Sequence, residues 1–194
     1  VGEAEKGQVV NALKAYSVLI LPVVTLLTVA YEAPAWNEPS GFKGVPFGSS
    51  EETLKEKIRA TCNNLSTPVF PERFCNASLE IGGVTAVTTF SFRSGALVEI
   101  TLKFDSQNFS TIEDIFIERY GTPTAQADNQ VQTRGGATFV NRTDVWDGSL
   151  VYILLVRYTD EITQSRAALI TKAEAKNMLN RSHEEKKKRA KDLD

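Results

Sequence analysis

The chain has 194 residues, 42% of them apolar and 24% charged, which suits one sizeable core or two small fused ones and is far from a disordered composition. A formal charge of −2 excludes the strong field by which a chain takes nucleic acid or an anionic membrane as its main partner. Two cysteines, Cys62 and Cys75, with no CxxC, exclude a disulfide-dense scaffold and a structural zinc site.

At the start, Lys14 precedes an uncharged apolar run from Ser17 to Ala30, and Ala33-Pro34-Ala35 follows. A basic approach, a short apolar stretch and a small-x-small site in that order predict a secretory signal peptide over 1–35, cut after Ala35. The run contains Pro22 and is shorter than the ~20 residues of a spanning helix. The expectation is therefore a periplasmic or secreted protein, with a folded domain over 36–180 and a charged helical tail over 181–194. In that oxidising setting Cys62 and Cys75 would form a disulfide, closing their loop for roughly 3 kcal/mol.

Residues 36–48 are rich in Pro, Gly and aromatics and read as an extended approach to the core. Ser49 and Glu52 form a capping box for a helix over 50–61 with Leu54, Ile58 and Ala60 inward. Two prolines and no period make 62–75 a surface loop. A strand over Ala77 to Ile81 turns at Gly82-Gly83 into a hairpin running from Val84 to Phe104. Thr88, Phe90 and Phe92 must share a face with Val98, Ile100, Leu102 and Phe104, which demands an odd-numbered loop, supplied by Arg93-Ser94-Gly95. A second capping box, Ser110 with Glu113, opens a helix through Ile112, Ile115, Phe116 and Tyr120 that Gly121 and Pro123 stop. The polar stretch from Thr124 to Gly136 reads as a loop. A second hairpin, Ala137 to Val145 and Ser149 to Tyr158, turns at Trp146-Asp147-Gly148. Gly148 stands 53 positions after Gly95, and the same shift superposes Leu97, Val98, Ile100 and Leu102 on Leu150, Val151, Ile153 and Leu155. That is the pattern of an internal repeat, about 42–105 and 106–171. A short strand over 167–170 and a helix from Thr171 and Glu174 to Lys191 complete the chain. The fold class is α+β: a tandem α-βββ repeat forming antiparallel sheet with helices packed on one face, plus a C-terminal helix.

Several of these features occur together in a known group. The helix approach Gly44-Val45-Pro46-Phe47-Gly48-Ser49-Ser50, the helix exit Tyr120-Gly121-Thr122-Pro123, the strand carrying Trp146 and the secretory start resemble bacterial envelope proteins built from a small helix-plus-meander module. That module is seen in the BamE (SmpA/OmlA) assembly lipoproteins and, in tandem, in β-lactamase-inhibitor-protein-like domains. The resemblance implies an accessory or inhibitor-like protein binder. The chain lacks the lipid-bearing cysteine of the first group and has one candidate disulfide where the second has more.

Residue chemistry points away from catalysis. The single histidine, His183, sits in the charged terminal helix, and no Gly-x-Ser-x-Gly elbow exists. Asp105, Asp144 and Asp147 fit no ligand motif, and Gly82-Gly83 and Gly135-Gly136 read as turns, so no catalytic, metal or cofactor residue is assigned. In the run Glu184 to Arg189, Glu184 with Lys188 and Glu185 with Arg189 are i,i+4 pairs of a solvated helix. Among the aromatics, Trp146 beside a turn is the first candidate for a contact. Tyr152 and Tyr158 are the next, on a strand apolar enough on both sides to bury them. The expected partner is a protein of the envelope, with no nucleic acid, and with membrane contact only through the signal peptide. A small-ligand binder using a helix–sheet pocket is the alternative, and a hydrolase the third.

Overall fold

The computed structural model describes residues 36–64, 73–159 and 161–191. The signal peptide expected over 1–35 and most of the loop between the cysteines lie outside the described residues. Two short strands, β1 (Gly41–Phe42) and β2 (Val45–Pro46), form a small hairpin before helix α1 (Glu51–Lys57). Four strands follow: β3 (Thr61–Asn64), β4 (Arg73–Ile81), β5 (Val84–Arg93) and β6 (Ala96–Asp105). Helix α2 (Phe109–Tyr120) precedes β7 (Ala125–Gln132), β8 (Thr138–Asp147), β9 (Val151–Val156) and β10 (Gln164–Thr171). Helix α3 (Lys172–Lys191) leaves β10 directly.

The eight longer strands form one antiparallel sheet in the order β3-β4-β5-β6-β10-β9-β8-β7. Each half is thus a helix followed by a four-strand meander, and the last strands of the two meanders pair with each other at the centre. The architecture is α+β as expected, but each unit has four strands where three were expected. The two additions are β3, in what reads as the cysteine loop, and β7, in what reads as the polar loop from Thr124 to Gly136. Both are edge strands. The 53-residue offset does not survive this order. Gly95 lies in the β5–β6 turn, whereas Gly148 lies in the β8–β9 turn, so the offset sets β6 against β9 when the sheet sets β6 against β10.

The β5–β6 turn solves the parity problem by another route. Only Ser94 and Gly95 lie between the strands, both at positive φ (50° and 78°), the two-residue turn whose twist suits a hairpin. An even loop would turn one strand inside out, and a bulge corrects this: the register shifts between Ser91, opposite Glu99, and Phe92, opposite Leu97. Leu97 is therefore buried in the place expected of Val98, and Ile100, Leu102 and Phe104 regain the face of Phe90 and Phe92.

Helices α1 and α2 cover that face. Leu54 and Ile58 from α1, and Phe109, Ile112, Phe116 and Tyr120 from α2, share one buried cluster with the inward residues of β4, β5, β6, β8, β9 and β10. The caps differ from expectation at both helices. For α1 the cap is Ser50, whose Oγ accepts from the Thr53 amide at 3.4 Å, and the helix ends at Lys57 because Ile58 is extended. Asp105 caps the short turn before α2, accepting from the Gln107 amide at 2.8 Å, and no side chain caps α2 itself. At its C-terminus Gly121 takes φ 89° and donates to Ile117 O at 2.8 Å, as the helix exit predicts. Cys62 and Cys75 are direct cross-strand partners joined by a disulfide. It is compatible with an oxidising location.

Freed from a capping role, Glu113 meets Asp144 of β8. Asp144 is fully buried; its Oδ1 accepts from Gln126 Nε2 at 2.8 Å, while Oδ2 finds no donor among the described residues. Burial, and then the adjoining Asp144 carboxylate, push the Glu113 carboxyl above its ordinary 4.5, against the pull of Arg142 at 3.5 Å. Arg142 is itself held bidentate by Asp128 at 2.9 Å. The raised value favours the protonated Glu113 carboxyl, which can act as a donor beside the buried Asp144. Because the folded-state value is raised, this stabilisation is complete below the ordinary carboxylate value and fades as pH rises through the raised one. Glu113→Gln, which donates at every pH, is expected to be the more stable protein at neutral pH, by about 1 kcal/mol, with the gap closing on acidification. Urea unfolding across a pH series reads the effect.

Candidate functional site: the open face of the sheet

The face away from α1 and α2 is built by the alternate residues of each strand, and cross-strand register sets them in rows. One row runs Asn76, Thr89, Thr101, Ala168, Leu154, Val145. The next runs Ser78, Val87, Lys103, Arg166, Val156, Thr143. A third, Phe74, Ser91, Glu99, Ile170, Tyr152, lies towards the start of α3. The face is thus polar over β4 and β5 and apolar over β9 and β10, where Leu154, Val156 and Tyr152 are half-buried.

At the middle, Lys103 and Arg166 are directly opposite each other in the β6–β10 pair. Both are exposed, and among the described residues neither has an ion-pair partner. Like charges facing across an antiparallel pair repel, and Arg166 is also close enough to the Glu99 carboxyl of the same face to stabilise its charge. Val87, 56% exposed, adjoins Lys103, and Val156 adjoins Arg166. Further along, Tyr158 packs edge-on against Phe139 with centroids 5.9 Å apart, and its backbone is tied to the Asn141 side chain.

One end of the face is closed by the root of α3. Glu174, fully buried, receives Arg93 Nε at 2.7 Å and Nη2 at 2.8 Å, Arg181 Nη2 at 2.9 Å and Asn177 Nδ2 at 3.4 Å. Burial alone would raise its carboxyl, but the hydrogen bonds from Arg93 and Arg181 outweigh it and hold the group below the usual carboxylate range. Glu99, on the row beneath, is pushed up by burial and by the Glu174 charge, despite a bond from Thr101 and the attraction of Arg166. Lys172 pairs with Asp147 and lies 5.6 Å from the Tyr152 ring centre. Beyond this root α3 is a charged helix, with Leu179 exposed, Glu184 bonded by Lys187 and Glu185 near Arg189. The helix is continuous across the boundary expected at 180/181.

The aromatic candidates exchange roles. Trp146 is fully buried against Phe116, its Nε1 donating to Gly121 O at 2.7 Å, so it forms core under α2 and offers nothing to a partner. It lies at an even position of β8, on the helix face with Asp144; closeness to a turn in sequence does not set exposure. Tyr152 and Tyr158 instead stand on the open face, half-exposed. Sequence reasoning missed Lys103 and Arg166, which become neighbours only once β6 pairs with β10. Glu51, Cys62 and Cys75 come close enough to suggest a metal site, but the two sulfurs are bonded to each other and are not thiolate ligands. His183 is exposed on α3. Among the described residues, no helix is long and apolar enough to cross a membrane.

Comparisons of the chain with protein-family models, with curated proteins and with solved structures give no match.

Removing one partner of a buried, hydrogen-bonded ion cluster leaves charge stranded. Glu174→Ala is expected to lose about 3–5 kcal/mol in urea unfolding and to render α3 susceptible to protease. Because its folded-state value is lowered, the Glu174 contribution is present above the ordinary carboxylate value and is lost as pH falls through the lowered one. The variant should therefore approach the parent's stability in acid.

Proposed function

We propose that the chain is an exported, non-catalytic protein-interaction module, an accessory or inhibitor-like binder of the cell envelope, whose working surface is the open face of the sheet. The observation that carries this reading is the Lys103–Arg166 couple, which has no ion-pair partner among the described residues and stands beside half-buried Leu154 and Val156 and exposed Val87. A central charge framed by apolar side chains suits a partner that brings carboxylates to the middle of a desolvated contact. Tyr152 and Tyr158, at the margins of the apolar half, add the large amphipathic surface on which contacts concentrate. The disulfide and the apolar start followed by Ala33-Pro34-Ala35 support action outside the cytoplasm. The helix-approach and helix-exit motifs, which resemble those of BamE-like and β-lactamase-inhibitor-protein-like modules, suggest the same class of role.

Arg166→Glu and Lys103→Glu reverse the charge while leaving the core side of both strands untouched. The test is affinity capture from an envelope extract of the source cells, comparing parent and double variant by mass spectrometry. The expected result is a protein held by the parent and lost, by at least about tenfold, with the variant. Identical captures by the two would exclude the open face as the working surface. The same spectra read the processed N-terminus, expected at Trp36.

A further inference from the structure

On the opposite side of the molecule, residues 37–46 form an arch pinned at both ends. At one end the Asn37 amide donates to Tyr120 O at 2.6 Å. There too Glu38 accepts from the amides of Ser149, Leu150 and Val151 at 3.2, 2.6 and 2.6 Å, and from Ser149 Oγ at 2.9 Å. At the other end Phe47 donates to Ser40 O, and Gly48 and Leu97 tie the exit to β6. Between the pins, the β1–β2 hairpin turns at Lys43 (φ 50°) and Gly44 (φ 79°). Gly41 lets its two strands meet, since a Cβ there would stand 2.2 Å from Val45 O.

An arch fixed in this way above α2 encloses space instead of collapsing onto the helix. The cavity measures about 560 Å³, within the ~300–1,000 Å³ of small-molecule sites. Ile81, Ile115, Phe116 and Tyr120 give it an apolar wall, and the charged residues lining it are Glu38, Lys43 and Arg119. Their balance is decided by what each already holds. The Glu38 carboxylate is spent on four donors, which outweigh burial and keep its pKa low. Lys43 Nζ donates to the backbone Glu80 O at 3.0 Å and has no ion pair among the described residues. Arg119 is exposed and has no ion pair among the described residues. An apolar wall with two positive charges at its rim that have no ion pair among the described residues, and one negative charge already satisfied, selects an anionic head on an apolar body.

We propose that this cavity is a binding site for a small amphiphilic monoanion, a medium-chain or single-ring carboxylate. Its carboxylate pairs with Arg119 and Lys43, and its body lies against Ile81, Ile115 and Phe116. The site is separate from the sheet face and stands or falls independently of it.

The test uses the full chain and three probes of equal length: decanoate, decanol and decyltrimethylammonium. Affinities come from calorimetry, and location from amide ¹H–¹⁵N shifts. Decanoate should bind tightest, with shifts confined to 37–46, Ile81 and 115–120. Arg119→Gln and Lys43→Gln should each weaken decanoate about tenfold and leave decanol unchanged. Thermal unfolding of the two variants without probe should match the parent, because both side chains are at the surface of the fold. Equal affinity for the three probes would overturn the proposal. So would shifts elsewhere in the chain, undiminished decanoate binding by both variants, or no binding by about 5 mM.

Discussion

The pairing of β6 with β10 is the contact on which the rest of the molecule depends. Each meander alone would end in a long strand with one ladder of amides and carbonyls unpaired, and joining those two strands removes both exposed edges at once. The same pairing sets Ile100 against Leu169 and Leu102 against Ala167, all fully buried, so that one core spans both halves under α1 and α2. It also forces Lys103 and Arg166 together on the other side. The exposed cationic couple on one face and the packed core on the other are consequences of one register.

That register is protected by the bulge in β6. A strand slip of one residue exchanges its two faces, which here would expose Ile100, Leu102 and Phe104 and bury Lys103. The tight Ser94-Gly95 turn would produce such an exchange by itself, and the shift after Ser91 cancels it. Next to the same turn, Arg93 reaches Glu174 and ties the C-terminal helix to the first meander. The sheet is therefore clamped across its halves twice, once by backbone pairing at the centre and once by a buried ion cluster at one end.

Where burial followed the period of two, the chain could be read directly. The strands β5, β6 and β9, the Gly121 helix exit and the pairing of Cys62 with Cys75 were all legible. β7 was not, because AQADNQVQ is an edge strand almost wholly exposed, so no apolar alternation marks it. Glu113 looked like a cap because Ser110 stood three residues before it; only the fold shows Asp144 beside it. Trp146 was misjudged for a related reason. A residue two places from a turn is buried or exposed according to strand parity, and parity there depends on β8 starting at Thr138, which the polar sequence before it hides. The cationic couple was invisible for the plainest reason, since 63 residues separate its members and only tertiary pairing brings them together.

The most direct test of this account is the β6–β10 register itself, read from interstrand nuclear Overhauser effects. Backbone contacts should join Ile100 with Leu169, Leu102 with Ala167, and Phe104 with Ser165. Absence of any contact between these strands, or a set displaced by one residue, would contradict both the single continuous core and the placement of Lys103 beside Arg166.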